Sequence, residues 1–157
     1  MRENSKMKKS AEFGAILNEI RIRLPSYSVN ESVARAMVSA FCAQLDPAAS
    51  ELADIKCAVS EAVTNCIVHA YKDTVGIIYI TVRLYEDRLV SVEIRDKGRG
   101  IEDVKLARQP LYTTDSENER SGMGFTVMES FCDKVRVNSG CKKGTIVTLY
   151  KLLKSRT

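Results

Sequence analysis

The sequence predicts an α+β fold, a two-layer sandwich in which long helices lie beside antiparallel strands. Two observations carry this expectation. Between about Asn30 and Tyr71 apolar residues recur at helical spacing, and after Gly76 the period changes to two, over Ile78–Ile94 and again over Val135–Leu152. Length agrees, since 157 residues with 45% hydrophobic and 28% charged suit one globular domain. Composition argues against disorder, collagen and repeat arrays. No apolar run approaches the roughly 18 residues of a membrane span, and Met1–Ser10 does not lead into the apolar core of a secretory signal. The expectation is a soluble, cytoplasmic protein without a membrane contact.

Residues 1–17 read as an N-terminal extension, flexible and polar at its start, ahead of one domain over 18–157. Ile20-Arg-Ile-Arg-Leu24 alternates apolar and basic residues, as a half-exposed strand does, and Pro25 ends or edges it. Asn30 can cap a helix to about Leu45, with Val33, Met37 and Phe41 forming its apolar stripe and Glu31, Arg35 and Ser39 on the other side. Asp46-Pro47 reads as a second start, cap followed by Pro at the first helical position. Leu52, Ile55, Val59, Val63 and Ile67 then keep one face apolar to about Tyr71.

Ile78, Ile80, Val82 and Leu84 share one face of a strand, Glu86-Asp87 makes the turn, and Val90, Val92 and Ile94 repeat the alternation opposite Ser91, Glu93 and Arg95. A polar loop from Asp96 has room for a short helix near Val104–Arg108. A helix from about Gly122 to Phe131 follows, then a second hairpin, Val135–Ser139 and Thr145–Leu152, around Gly140–Gly144.

Charge narrows the function classes. The formal net charge is +4, but residues 1–24 hold six Lys or Arg against three Glu, so the rest of the chain carries only +1. A nearly neutral body, with no Trp and no basic stretch interleaved with aromatics, is a poor nucleic-acid surface. Five cysteines without a C-x-x-C pair, and the single His69, make a zinc centre improbable and fit reduced thiols. Cys66 and His69 could pair for nucleophilic chemistry, but core packing is the plainer reading of Cys66.

Three places can carry chemistry. Glu61 and Asn65, one helical turn apart, project from the same face. An amide oxygen suits Mg²⁺ and a carboxylate can take a proton, although an ordinary wet helix face has the same spacing. Asp96-Lys-Gly98-Arg-Gly100 follows a strand, where a fixed carboxylate can accept from an exocyclic amine such as adenine's; a plain glycine turn would look alike. It is no dinucleotide fingerprint, because Asp103 stands where the third glycine would fall. Ser121-Gly122-Met-Gly124-Phe125 opens a helix with small residues, and helix starts cradle phosphate. The polar stretch Tyr112–Arg120 before it is placed to act as a lid. No G-x-x-x-x-G-K-[ST] occurs, which excludes a P-loop. In this order the three describe an ATP site.

These motifs resemble the N box and the two glycine boxes of the GHKL ATPases, the superfamily of gyrase, MutL and the histidine kinases. Asn30-Glu-Ser-Val-Ala-Arg35, Ala43-Gln-Leu-Asp-Pro47, Val59-Ser-Glu-Ala-Val-Thr-Asn65, Ile94-Arg-Asp-Lys-Gly-Arg-Gly-Ile101, Ala107-Arg-Gln-Pro-Leu111 and Glu119-Arg-Ser-Gly-Met-Gly-Phe125 are similar to the small serine kinases that act as anti-sigma factors, in their sporulation branch. The resemblance covers about residues 18–152. It implies a Bergerat-type sandwich, with a mixed, mostly antiparallel sheet covered by helices on one face, that binds ATP and Mg²⁺.

By the same resemblance, Asn65 would hold Mg²⁺ and Glu61 would act as general base toward a substrate serine. Asp96, Gly98, Gly100 and Thr145 would receive adenine, and Ser121, Gly122 and Gly124 the phosphates, with Arg120 a charge partner for the terminal one. Glu31 and Arg35 match the family's partner-docking helix; alone they read as an i, i+4 ion pair of about 0.2–0.5 kcal/mol. The implied biology is a homodimer that keeps a sigma factor of the sigma F type from RNA polymerase and phosphorylates its anti-anti-sigma antagonist on serine. The alternatives are an anti-sigma kinase of the general-stress type serving another sigma factor, and an ATP-dependent clamp without kinase activity. A detached histidine-kinase domain fits less well, since no helix with a phospho-accepting His precedes the ATP motifs. Cys66 and Ala70 depart from the Ala and Gly frequent in the family.

Overall fold

A computed structural model describes residues 12–109, 124–140 and 142–154. Five strands form one open sheet: β1 (Ile16–Pro25), β2 (Ile77–Tyr85), β3 (Leu89–Asp96), β4 (Lys134–Gly140) and β5 (Gly144–Leu152), in the order β1-β2-β3-β5-β4. Every pairing among them is antiparallel, so the two-layer sandwich forms without the parallel pair that a mixed sheet would contain. The described α-helices are α1 (Asn30–Cys42), α2 (Ala49–Asn65), α3 (Val104–Ala107) and α4 (Gly124–Phe131), with a short 3-10 turn over Ala43–Leu45 and a π turn over Cys66–Ala70.

The hairpin follows its alternation. Ile78, Ile80, Val82 and Leu84 of β2 and Val90, Val92 and Ile94 of β3 are all buried, in one cluster with Ile55, Val59 and Val63 of α2. Burying each such side chain is worth about 1.5–3 kcal/mol, which fixes α2 across the sheet. Ser91 departs from expectation. It is buried with its hydroxyl unpartnered, on a face where its cross-strand neighbours are Arg83 and Tyr150. Part of that outer face is covered, because Phe13 stacks on Tyr150 at 5.0 Å and meets Tyr85 edge-on at 5.9 Å. The first strand begins at Ile16, earlier than the alternation from Ile20 indicated, and so takes in the last residues of the stretch set apart as an extension.

Three helix expectations need correction. In α1 the buried row is Ala34, Val38 and Cys42, with Ser39 beside it, while Val33 and Met37 are 41% and 38% exposed; only Phe41 of the expected stripe packs against the core. Asn30 does not cap α1, since its amide donates to the Pro25 carbonyl. Pro47 is not the first residue of α2, because Asp46 is left-handed (φ 49°) and the helix starts after Ala48, whose N–H donates to the Glu51 carboxylate at 3.0 Å.

Candidate nucleotide site

Helix α2 carries Glu61 and Asn65 on the side that meets the start of α4. A Cβ added at Gly124, the first residue of α4, would lie 3.4 Å from Asn65 Oδ1, 3.4 Å from Glu61 Oε2 and 3.5 Å from Asn65 Nδ2. Two oxygen ligands of the kind hard cations prefer therefore converge on a glycine at a helix start. Beyond Asn65 the helix widens into a π turn over Cys66–Ala70, in which the Tyr71 N–H reaches back to the Cys66 carbonyl. Such turns recur at functional sites.

Cys66, next in sequence to Asn65, points at the end of β3. Its Sγ lies 3.6 Å from Asp96 Oδ2. Asp96 is only 5% exposed, and its Oδ1 accepts from the backbone N–H of Gly98 (2.9 Å) and of Thr145 (3.2 Å). Burial pushes the Asp96 carboxyl above its ordinary range, against the pull of Gly98 N–H, the Cys66 thiol and Thr145 N–H. Burial, with the Asp96 charge beside it, pushes the Cys66 thiol well up, so it stays protonated and donates.

Two glycines permit the close approaches around Asp96. At Gly98 a Cβ would fall 2.3 Å from the Ala70 carbonyl oxygen, and at Gly144 (φ +78°) 2.3 Å from the Asp96 carbonyl oxygen. Thr145 is buried on β5, its hydroxyl 2.7 Å from that of Ser139 across the hairpin. Ser139 also accepts from the Ile101 N–H at 2.8 Å, which ties the loop after Gly100 (φ +76°) to β4. Below the loop, the Tyr71 hydroxyl donates to the Ile77 carbonyl and accepts from the Lys97 N–H, both at 2.7 Å.

The structure thus brings Glu61, Asn65 and Gly124 together, sets Asp96, Gly98 and Thr145 together, and joins the two groups through Cys66. Arg120, Ser121 and Gly122, with the stretch Tyr112–Arg120, lie outside the described residues. Glu31 and Arg35 stand apart on α1, where Arg35 Nη1 lies 3.2 Å from Glu31 and 3.2 Å from Ser60. Sequence reasoning noticed Cys66 as a departure next to Asn65, and missed Tyr71, Ser139 and Gly144 as members of the site. A signal for Ser139 was available in the expected hairpin, which sets it across from Thr145. Cys42, Cys57, Cys66 and Cys132 are free, and among the described residues there is no cluster of three or more His, Cys, Asp or Glu that could hold a metal. No described helix is long and apolar enough to cross a membrane.

Residues 25–151 match the histidine kinase-like ATPase domain family. An anti-sigma F factor of Caldanaerobacter subterraneus is 52% identical over 136 residues, which span 87% of this chain and 94% of that protein. The chain belongs to the anti-sigma F branch of the histidine kinase-like ATPases. The anti-sigma F factor of Geobacillus stearothermophilus is 54% identical over 135 residues, spanning 85% of this chain and 92% of that one. The crystal structure of the RsbU and RsbW domains of a Mycobacterium tuberculosis protein superposes with a TM-score of 0.67 at 23% identity, over 89% of this chain and 34% of that longer one. The histidine kinase domain of a blue-light-activated kinase from Erythrobacter litoralis gives 0.51 at 18% identity, over 93% of this chain and 69% of that one. These two likenesses show the fold.

Proposed function

We propose that this protein is an anti-sigma factor that keeps a sporulation sigma factor of the sigma F type from RNA polymerase in the cytoplasm. In this reading it is also an ATP-dependent serine kinase that phosphorylates the anti-anti-sigma protein opposing it. The observation that carries the reading is the convergence of Glu61 Oε2 and Asn65 Oδ1 on Gly124, with the buried Asp96 joined to the same helix through Cys66. Family membership supports it, and so do relatives named anti-sigma F factors along nearly their whole length.

Adenine would donate its exocyclic amine to Asp96, in a pocket shaped by Gly98, Gly100 and Thr145. The phosphates would lie at the start of α4, on Gly124 and the preceding Ser121 and Gly122, with Arg120 toward the terminal phosphate. The oxygen set of Glu61 and Asn65 fits Mg²⁺, with Asn65 the ligand; bound there, the ion would neutralise phosphate charge. Glu61 accepts the proton of the substrate serine as its Oγ forms a bond to the γ-phosphorus. The bond from that phosphorus to the β,γ-bridging oxygen breaks, and ADP leaves. A positioned base of this kind is worth about 10²–10⁴ in rate.

Helix α1 supports docking. Its outer face carries the exposed large apolar residues Val33 and Met37, with Val29 and Tyr27 just before the helix, while Glu31 and Arg35 lie half-buried at the edge toward α2. The proposal gives this face to protein partners, including a second copy in a homodimer.

Transfer of labelled phosphate from Mg·ATP to a purified anti-anti-sigma protein tests the reading. Label on a partner serine, lost with Asn65→Ala and with Glu61→Gln while Glu61→Gln still binds ATP, is the expected result. Bound ATP and captured sigma factor without label would retire the kinase and leave a nucleotide-dependent clamp. Failure to bind ATP would overturn the site itself.

A further inference from the structure

We propose that Cys66 is a positioning residue for the base, holding Asp96 with one Oδ2 lone pair aimed at an exocyclic amine and so selecting adenine. This rests on the nucleotide site proposed above. A carboxylate offers two lone-pair directions on each oxygen. Oδ1 of Asp96 is saturated by the N–H groups of Gly98 and Thr145. Oδ2 has one described partner, the Cys66 thiol at 3.6 Å, and keeps one direction for a ligand.

The thiol comes from the π turn, the two N–H groups from the loop after β3 and from β5, so the carboxylate is clamped from three elements. A clamped, ionised acceptor recognises a donor amine and disfavours a base that presents an oxygen there. Cys66 is 4% exposed and needs no direct contact with the nucleotide to do this. Its effect passes through Asp96, and it should therefore be felt by the amine alone.

Isothermal titration of the full chain with ATP, and with purine riboside triphosphate (hydrogen in place of the amine), separates the outcomes. Cys66→Ala should weaken ATP about tenfold, as expected for losing a hydrogen bond to a charged group. Purine riboside triphosphate should change less than twofold. Cys66→Ser, which restores a donor, should recover ATP binding. Equal loss of both nucleotides in Cys66→Ala would mean simple packing and overturn the proposal, as would unchanged ATP binding. Should Cys66→Ala fail to fold, Cys66→Ser decides alone: a ratio of ATP to purine riboside affinity below wild type overturns it. Asp96→Asn keeps the two hypotheses apart. If it binds ATP as wild type does, the base site itself is wrong; if it loses ATP while Cys66→Ala does not, only the role of Cys66 falls.

Discussion

Helices α1 and α2 are neighbours on the same face of the sheet, yet they differ in how much of their apolar surface they cover. On α2 the apolar row Ile55, Val59 and Val63 goes inside, no large apolar residue is left exposed, and the polar Glu61 and Asn65 are carried at the edge of that stripe. On α1 one apolar row, Ala34, Val38 and Cys42, goes inside, and a second, with Val33 and Met37, faces out. One helix is built to hold the domain together and to aim a pair of side chains. The other buries one of its two apolar rows and presents the second, with Val33 and Met37, outward.

The contrast can be broken by mutation. The largest effect is expected on α2: Ile55→Ala should cost about 2–5 kcal/mol in urea unfolding, because the sheet cannot close on the cavity. Next comes Ala34→Leu on the inner row of α1, where overpacking should cost about 1–3 kcal/mol, whereas Val33→Leu one position earlier should cost nothing measurable.

Glu51→Gln at the start of α2 should cost about 1 kcal/mol at neutral pH. Burial pushes the Glu51 carboxyl up, but the N–H groups of Ala48 and Lys154, with the charges of Arg88 and Lys151, hold it below its ordinary range. Its contribution is therefore full above the ordinary carboxylate pKa and lost as pH falls through the lower folded value. Unfolding curves of wild type and Glu51→Gln should accordingly converge in acid. The smallest stability effect belongs to Met37→Gln, within about 0.5 kcal/mol. Its consequence should appear instead in weaker capture of the sigma factor or weaker self-association by sedimentation.

The same two helices mark how far the sequence could be read. Periodicity located α2, the β2–β3 hairpin and the faces of both, since each buries one continuous stripe of large residues. It misassigned α1 because two apolar rows, Ala34–Val38–Cys42 and Val33–Met37–Phe41, run side by side on it, and size pointed to the wrong one. Asp46-Pro47 misled because a left-handed Asp46 ends the preceding turn, so Pro47 falls before the helix start. Of the site, the residues quoted as motifs were legible where each sits on one element. The bond between Cys66 and Asp96 was not, because it joins positions thirty apart that no local pattern relates.

The widened turn at Cys66–Ala70 has a geometric consequence. Regular α-helix advances 100° per residue, so one unbroken helix keeps a fixed phase between all its side chains. A turn closed over five intervals, from the Cys66 carbonyl to the Tyr71 N–H, acts like one residue inserted into that count. Everything after it is rotated relative to Glu61 and Asn65, and the Ala70 carbonyl comes to receive the Arg99 N–H at 3.4 Å. A single length of chain can then face two directions that a regular helix could not serve at once. Removing one residue from the turn would restore the regular phase and swing the second direction away from the loop after β3.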